Sequence, residues 1–222
     1  MKTLEVYFLL FIVYSVIGWV LEVVYCLIGD HYLVNRGFLI GPYCPIYGVS
    51  AVMMILLLSK INNYLLLFLV AMVLCSACEY FTSYILEKIF HARWWDYSSL
   101  KFNINGRICL KNSILFGLLG VGLIKYVNPF INKFIMLMNK NTLFILFISI
   151  LIIFIVDLFV SCSVLFKLKN LSIKYKFADN TREITKHIRE MLKNNFFVKR
   201  LFDSFPKLRE SMSIKFKSLI KK

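Results

Sequence analysis

The sequence is divided into apolar blocks of about the length that crosses a bilayer, and this restricts the fold more than any other feature in it. A hydrocarbon core about 30 Å thick takes roughly 20 apolar residues as a helix. Inside it every backbone N–H and C=O must find a partner within the protein, and a helix meets that demand within one segment. The blocks read as span one, about Leu4 to Leu27, and span two, beginning between Phe38 and Pro45 and ending near Ser59. Lys60-Ile61-Asn62-Asn63 is a tight turn, and span three runs from about Tyr64 to Leu86. Span four starts near Ser113 and weakens at Val127-Asn128-Pro129; Phe130 to Met138 either extends it through a proline kink or lies at the interface. Span five is about Thr142 to Phe166. The first block is too long for a signal-peptide core and has no small-x-small cleavage site after it, so it counts as a span. The expected fold is an all-α integral membrane protein of about five transmembrane helices. It divides into a helical domain, 1–166, and a basic cytoplasmic tail, 167–222.

Charge gives the orientation. The tail holds sixteen of the 27 Lys and Arg residues, and six more fall in the segments at 30–45 and 87–112. Only Lys2, Lys60, Lys125, Lys133 and Lys140 fall elsewhere. Basic loops stay in the cytoplasm, so the N-terminus is expected outside and the C-terminus inside. The tail alternates charge and apolar residues at helical spacing: Ile184, Ile188, Met191 and Leu192, then Leu201, Phe202 and Phe205 closed by Pro206, then Leu208, Met212, Phe216 and Leu219. Asn180 with Glu183 fits a capping box. Basic amphipathic helices lie on anionic membrane surfaces, so inner-leaflet lipid is the expected partner. No nucleic-acid fold accompanies the basic residues, and a homo-oligomer is left open.

Between spans one and two stands Asn35-Arg36-Gly37-Phe38-Leu39-Ile40-Gly41-Pro42-Tyr43-Cys44-Pro45-Ile46-Tyr47-Gly48. Gly and Pro free backbone polar groups, which are tolerated at membrane depth only inside protein or along a wet cavity. The stretch is either a structured, re-entrant segment or a plain loop with a helix starting at Pro45.

Ionisable residues within spans are costly and mark function by default. Glu22, Glu79 and Asp157 are such residues, each with small or hydroxyl residues on its own helix face. Counted from the ends of their spans, the three share a level in the inner half. Arg36 and Arg107 enter from the same side, and Arg36, with Arg107, is expected to pair with Glu22 or Glu79. Helix-to-helix glue, a solute or ion pathway and catalysis are the three readings of such a cluster. In the loop after span three, Trp94, Trp95 and Tyr97 suit an interfacial belt, Asp96 can accept from Arg93 or Arg107, and Asn103, Asn105 and Gly106 supply turn chemistry. His91 has no ligand-pair spacing, so no metal site is expected, and no cofactor motif is present. Cys75 and Cys78 lie on a membrane helix and read as packing residues. With no G-x-x-x-x-G-K-[ST] the chain is not itself a P-loop ATPase, and G-x-S-x-G and H-E-x-x-H are absent too.

Tyr14-Ser15 with Gly18-Trp19 and Glu22, Asn35-Arg36-Gly37-Phe38, Gly41-Pro42 with Pro45-Ile46-Tyr47-Gly48, Trp95-Asp96-Tyr97-Ser98, Asn103 and Gly106-Arg107 together resemble the bacterial family of Putative ABC-transporter type IV permeases. The resemblance covers about residues 5–130. It implies a multi-pass inner-membrane permease subunit for a small solute, served by a separate ATPase. It adds weight to Glu22, Arg36, Asp96 and Arg107, which coincide with its motif positions. The other reading of the same cluster is an intramembrane enzyme or lipid-head-group-binding protein.

Overall fold

A computed structural model describes residues 4–30, 37–90, 93–174 and 196–205. The elements are α1 (Leu4–Asp30), α2 (Pro45–Leu58), α3 (Tyr64–Phe90), β1 (Asn103–Ile104), β2 (Ile108–Cys109), α4 (Leu110–Gly122), a π-helical turn (Leu123–Val127), α5 (Asn128–Leu137), α6 (Lys140–Lys174) and α7 (Phe196–Ser204). The fold is all-α apart from one antiparallel two-residue hairpin. α1, α3 and α6 run past the ends of their apolar blocks, because polar and charged residues continue the turns beyond the hydrophobic run.

Among the described residues, four helices are long and apolar enough to cross a membrane: Leu4–Ile28, Tyr64–Phe90, Leu110–Leu137 and Lys140–Phe166. α2 has 14 residues, or about 21 Å at 1.5 Å per residue, short of a bilayer core. Its start follows from Pro45 in the first turn, where a missing N–H costs nothing. The apolar piece after Asn128-Pro129 is a continuation, not a separate interfacial element. Leu110–Leu137 runs as one apolar helical stretch. Pro129 withholds a hydrogen bond from the preceding turn, and the backbone widens there into the π turn at Leu123–Val127.

α3 and α4 form an antiparallel pair, bonded from the middle of α3 to the first turn of α4 by Ser76 Oγ to Ser113 Oγ at 2.7 Å. Val6, Leu9, Leu10, Ala51, Met54, Leu67, Ala71, Ile124 and Ile135 bring α1 to α5 into one core. α6 joins through aromatic edges, Phe8 on Phe147 at 5.2 Å and Phe11 on Phe154 at 5.5 Å. The outer faces carry Leu56, Leu57, Leu65, Val73, Ile145, Ile153 and Phe159. Such a surface is a liability in water and is what lipid solvates.

The end of the bundle opposite the turn at 59–63 holds the site. There the chain leaves helix twice, at 37–44 and 93–109, and α7 packs against both. Val198 and Leu201 bury against Trp94 and Leu165, with Phe38 and Trp95 alongside. Of the tail stripes, this one is a helix docked on protein. Those at 184–192 and 208–219, and the capping box at Asn180, lie outside the described residues.

Candidate functional site

Asp157, on α6, is buried, and its contacts explain why the segment 37–44 has one shape. Its carboxylate accepts the backbone N–H of Ile40 at 2.9 Å and of Gly41 at 2.7 Å. It also accepts the Tyr43 hydroxyl and, from one turn on, Ser161 Oγ at 2.9 Å. A buried carboxylate with four donors is satisfied without a cation in contact, since charge-assisted hydrogen bonds are the strong ones. The segment closes on itself through Tyr43 N–H to Gly41 O, and on α1 through Cys44 N–H to Ser15 O, both at 2.9 Å. Its remaining carbonyls at Gly37 and Leu39 accept from the Arg200 guanidinium of α7. Burial pulls that guanidinium below its usual range, and the nearby Asp157 charge pushes it back up. The stretch 37–44 is therefore a structured non-helical segment, and Pro45 starts the next helix.

Glu22 and Glu79 belong to a second cluster. Glu22, on α1, accepts the Tyr47 hydroxyl of α2 at 2.6 Å. Gly18 makes this possible: a Cβ there would collide with the Tyr47 ring. Glu79, on α3, is 7 % exposed and accepts the Tyr97 hydroxyl at 3.0 Å. Its Oε2 is buried with no hydrogen-bond partner. Tyr97 is raised well above the ordinary phenol range, first by burial, then by the Glu79 charge, its hydrogen bond to Glu79 and the Glu22 charge; the Asn112 side chain bonds the same hydroxyl and opposes the rise. Two carboxylates, two phenols and an amide from α1, α2, α3, the loop and α4 thus share one neighbourhood.

The loop presents Tyr97 because it is pinned at several points. Gly106 has φ +68°, a region glycine enters freely, and a Cβ there would strike Asp96 and Ser98. Tyr97 N–H bonds Gly106 O at 2.7 Å, Gly106 N–H bonds Asn103 Oδ1 at 3.0 Å, and Trp95 Nε1 bonds Arg107 O at 3.0 Å. Asp96 caps Ser98 through N–H at 3.0 Å and Oγ at 2.5 Å. A chain of ions ties the loop to α3: Arg107 to Glu87 at 2.8 Å, Glu87 to Arg93 at 3.3 Å, and Arg93 to Asp96 at 3.6 Å. Arg107 also donates to Ser83 Oγ at 3.2 Å and lies over the rings of Tyr80 and Tyr84.

The expected single cluster is thus three neighbouring ones. Glu22 and Glu79 come together. Asp157 is taken up by the 37–44 segment. Arg107 pairs with Glu87, not with Glu22 or Glu79, and Asp96 holds the loop. Arg36 lies outside the described residues. Gly37, Gly41, Pro42, Pro45 and Gly48 build the turn and its approach to α1. Trp95, Asn103 and Gly106 build the loop that carries Tyr97. Sequence reasoning gave no role to Tyr43, Asn112 or Arg200, and it placed Ser83 only on the polar face of Glu79. Ser83 was legible as the position four after Glu79, although its partner is Arg107; the others act across more than ten residues and leave no spacing signal.

The family described as Putative ABC-transporter type IV has a sequence model that matches residues 9–162. The match extends past residue 130 into α6 and takes in Asp157. No curated protein and no solved structure matches the chain.

Proposed function

We propose, on the premise that the chain belongs to the Putative ABC-transporter type IV family, that it is a permease-like membrane subunit moving a small solute, with ATP hydrolysis supplied by a separate protein. The observation that carries this reading is Glu79: a carboxylate oxygen buried without a partner, beside a second carboxylate and two phenols. Leaving a polar acceptor unpaired in a helical bundle is expensive. A helix-packing role would be better served by Gln or Ser, as Ser76 and Ser113 do on the same pair of helices. A group that must receive a proton or a donor-bearing solute needs a free acceptor. Among the described residues, Arg93 and Arg107, the arginines that a lipid-head-group reading would use in this loop, are paired with Glu87 and Asp96. The charge distribution supports the inner membrane, with five spans, the N-terminus outside and the division at 166/167; anionic lipid at the tail and self-association belong to the same proposal.

The test is purification of the full chain from its source membrane in mild detergent, with identification of co-purifying proteins, followed by solute-uptake screening in proteoliposomes. A nucleotide-binding partner and an uptake lost in Glu79→Gln are expected. A chain that purifies alone and turns over labelled lipid would overturn the reading.

A further inference from the structure

The segment 37–44 is gripped from two directions by side chains far away in sequence. Asp157 takes its N–H groups at Ile40 and Gly41. Arg200 takes its C=O groups at Gly37, at 2.8 Å, and at Leu39. Neither set is satisfied by the segment itself, although Leu39 is fully buried. Buried backbone groups must be paired, so the shape of this turn depends on a helix some 160 residues further on. That helix is docked by more than one bond: Val198 and Leu201 are 2 % and 3 % exposed, and Phe205 stacks edge-on to Trp94 with ring centroids 4.8 Å apart. The two grips differ in kind. Asp157 is on α6, inside the bundle. Arg200 is on a nine-residue helix that meets the bundle through one small apolar face, and short helices of this sort are the low-stability units of a fold.

We propose that Phe196–Ser204 is a closing strap. Docked, it pins the carbonyls of Gly37 and Leu39 and holds 37–44 in the shape described. Undocked, it leaves two backbone acceptors to water, and the segment opens while Asp157 keeps its hold on the other edge. The C-terminal region thereby controls the non-helical entry to α2, whose first turn carries Tyr47 toward Glu22. The inference does not depend on a solute or on an ATPase.

Cys44 is a built-in reporter, 8 % exposed within the segment. The experiment measures the alkylation rate of each cysteine by peptide mass spectrometry, on the full chain in native membrane vesicles permeable to a polar maleimide. Arg200→Ala and Leu201→Glu should each raise the Cys44 rate about tenfold or more, equivalent to about 1.4 kcal/mol of lost closure. Cys26 and Cys75, both buried in the bundle, should not change. Lys199→Ala, which removes an exposed charge of the same sign from the same helix, should leave all rates unchanged. Arg200→Lys retains a donor but not the fork that reaches two carbonyls, and should fall between. A Cys44 rate that stays flat in both variants overturns the strap. So does a rise shared equally by Cys26 and Cys75, because the contact would then hold the whole bundle and not this segment.

Discussion

At the scale of single residues, the two buried acids behave as opposites. Asp157 is saturated with donors, and Glu79 is short of one. Asp157→Ala should therefore be destabilising, because it strands the Ile40 and Gly41 N–H groups at about 1–3 kcal/mol each. Asp157→Asn keeps an acceptor and should lose less. Detergent melting temperature orders the three proteins, and an alanine variant as stable as the parent would mean that water reaches the segment. Glu79→Gln should leave the melting temperature equal or higher, since a neutral amide can still accept from Tyr97 and no charge is left buried. A large loss of stability there would mean that Glu79 is structural. Gly106→Ala should cost about 1 kcal/mol or more for its positive φ alone, read in the same melting experiment.

At the scale of elements, the hairpin loop and α3 are joined by ions while α3 and α4 are joined by hydroxyls. A double-mutant cycle of Glu87→Gln with Arg107→Ala on unfolding free energy should show coupling of about 0.5–3 kcal/mol. Arg107→Ala with Glu79→Gln should be additive within about 0.5 kcal/mol, because those side chains are not paired. The reverse result would restore the pairing expected from the sequence and discard the geometry described above. The same scale explains why that pairing was misjudged. Arg107 and Glu79 both point to one end of the bundle in a one-dimensional count of depth. Glu87, eight residues further down α3, lies where the loop returns, and only the loop's path reveals it.

At the scale of the whole molecule, orientation is the first thing to check. Cysteine labelling from outside intact cells should reach position 61 or 62, and positions near 103 only after permeabilisation; labelling at 103 from outside would invert the topology. The turn at 61 and the segments at 37–44 and 93–109 lie at opposite ends of the bundle, as this arrangement requires. Lys125 Nζ bonds Ile61 O at 2.8 Å, which puts that lysine with the turn at 59–63.

The sequence by itself determined the helical membrane class and the turn at 60–63, bracketed the start of α2 between Phe38 and Pro45, and marked Val127-Asn128-Pro129 as the place where the fourth apolar run is disturbed. These follow from run length and from the chemistry of proline and asparagine, which act on their immediate neighbours. It also picked out Glu22, Glu79 and Asp157, because an acid in an apolar run is conspicuous wherever it lies. Tertiary structure alone decided their partners. The carboxylate of Asp157 is claimed by backbone 117 residues away, and Arg200 by carbonyls 163 and 161 residues away. Backbone donors and acceptors carry no side-chain signature, so no spacing in the sequence can announce that a charge will be neutralised by a turn. That Glu22 and Glu79 share a neighbourhood while Asp157 stands apart depends on which faces α1, α3 and α6 turn toward one another. The burial pattern of large and small side chains across all the helices sets that, and no one stretch of the chain contains it.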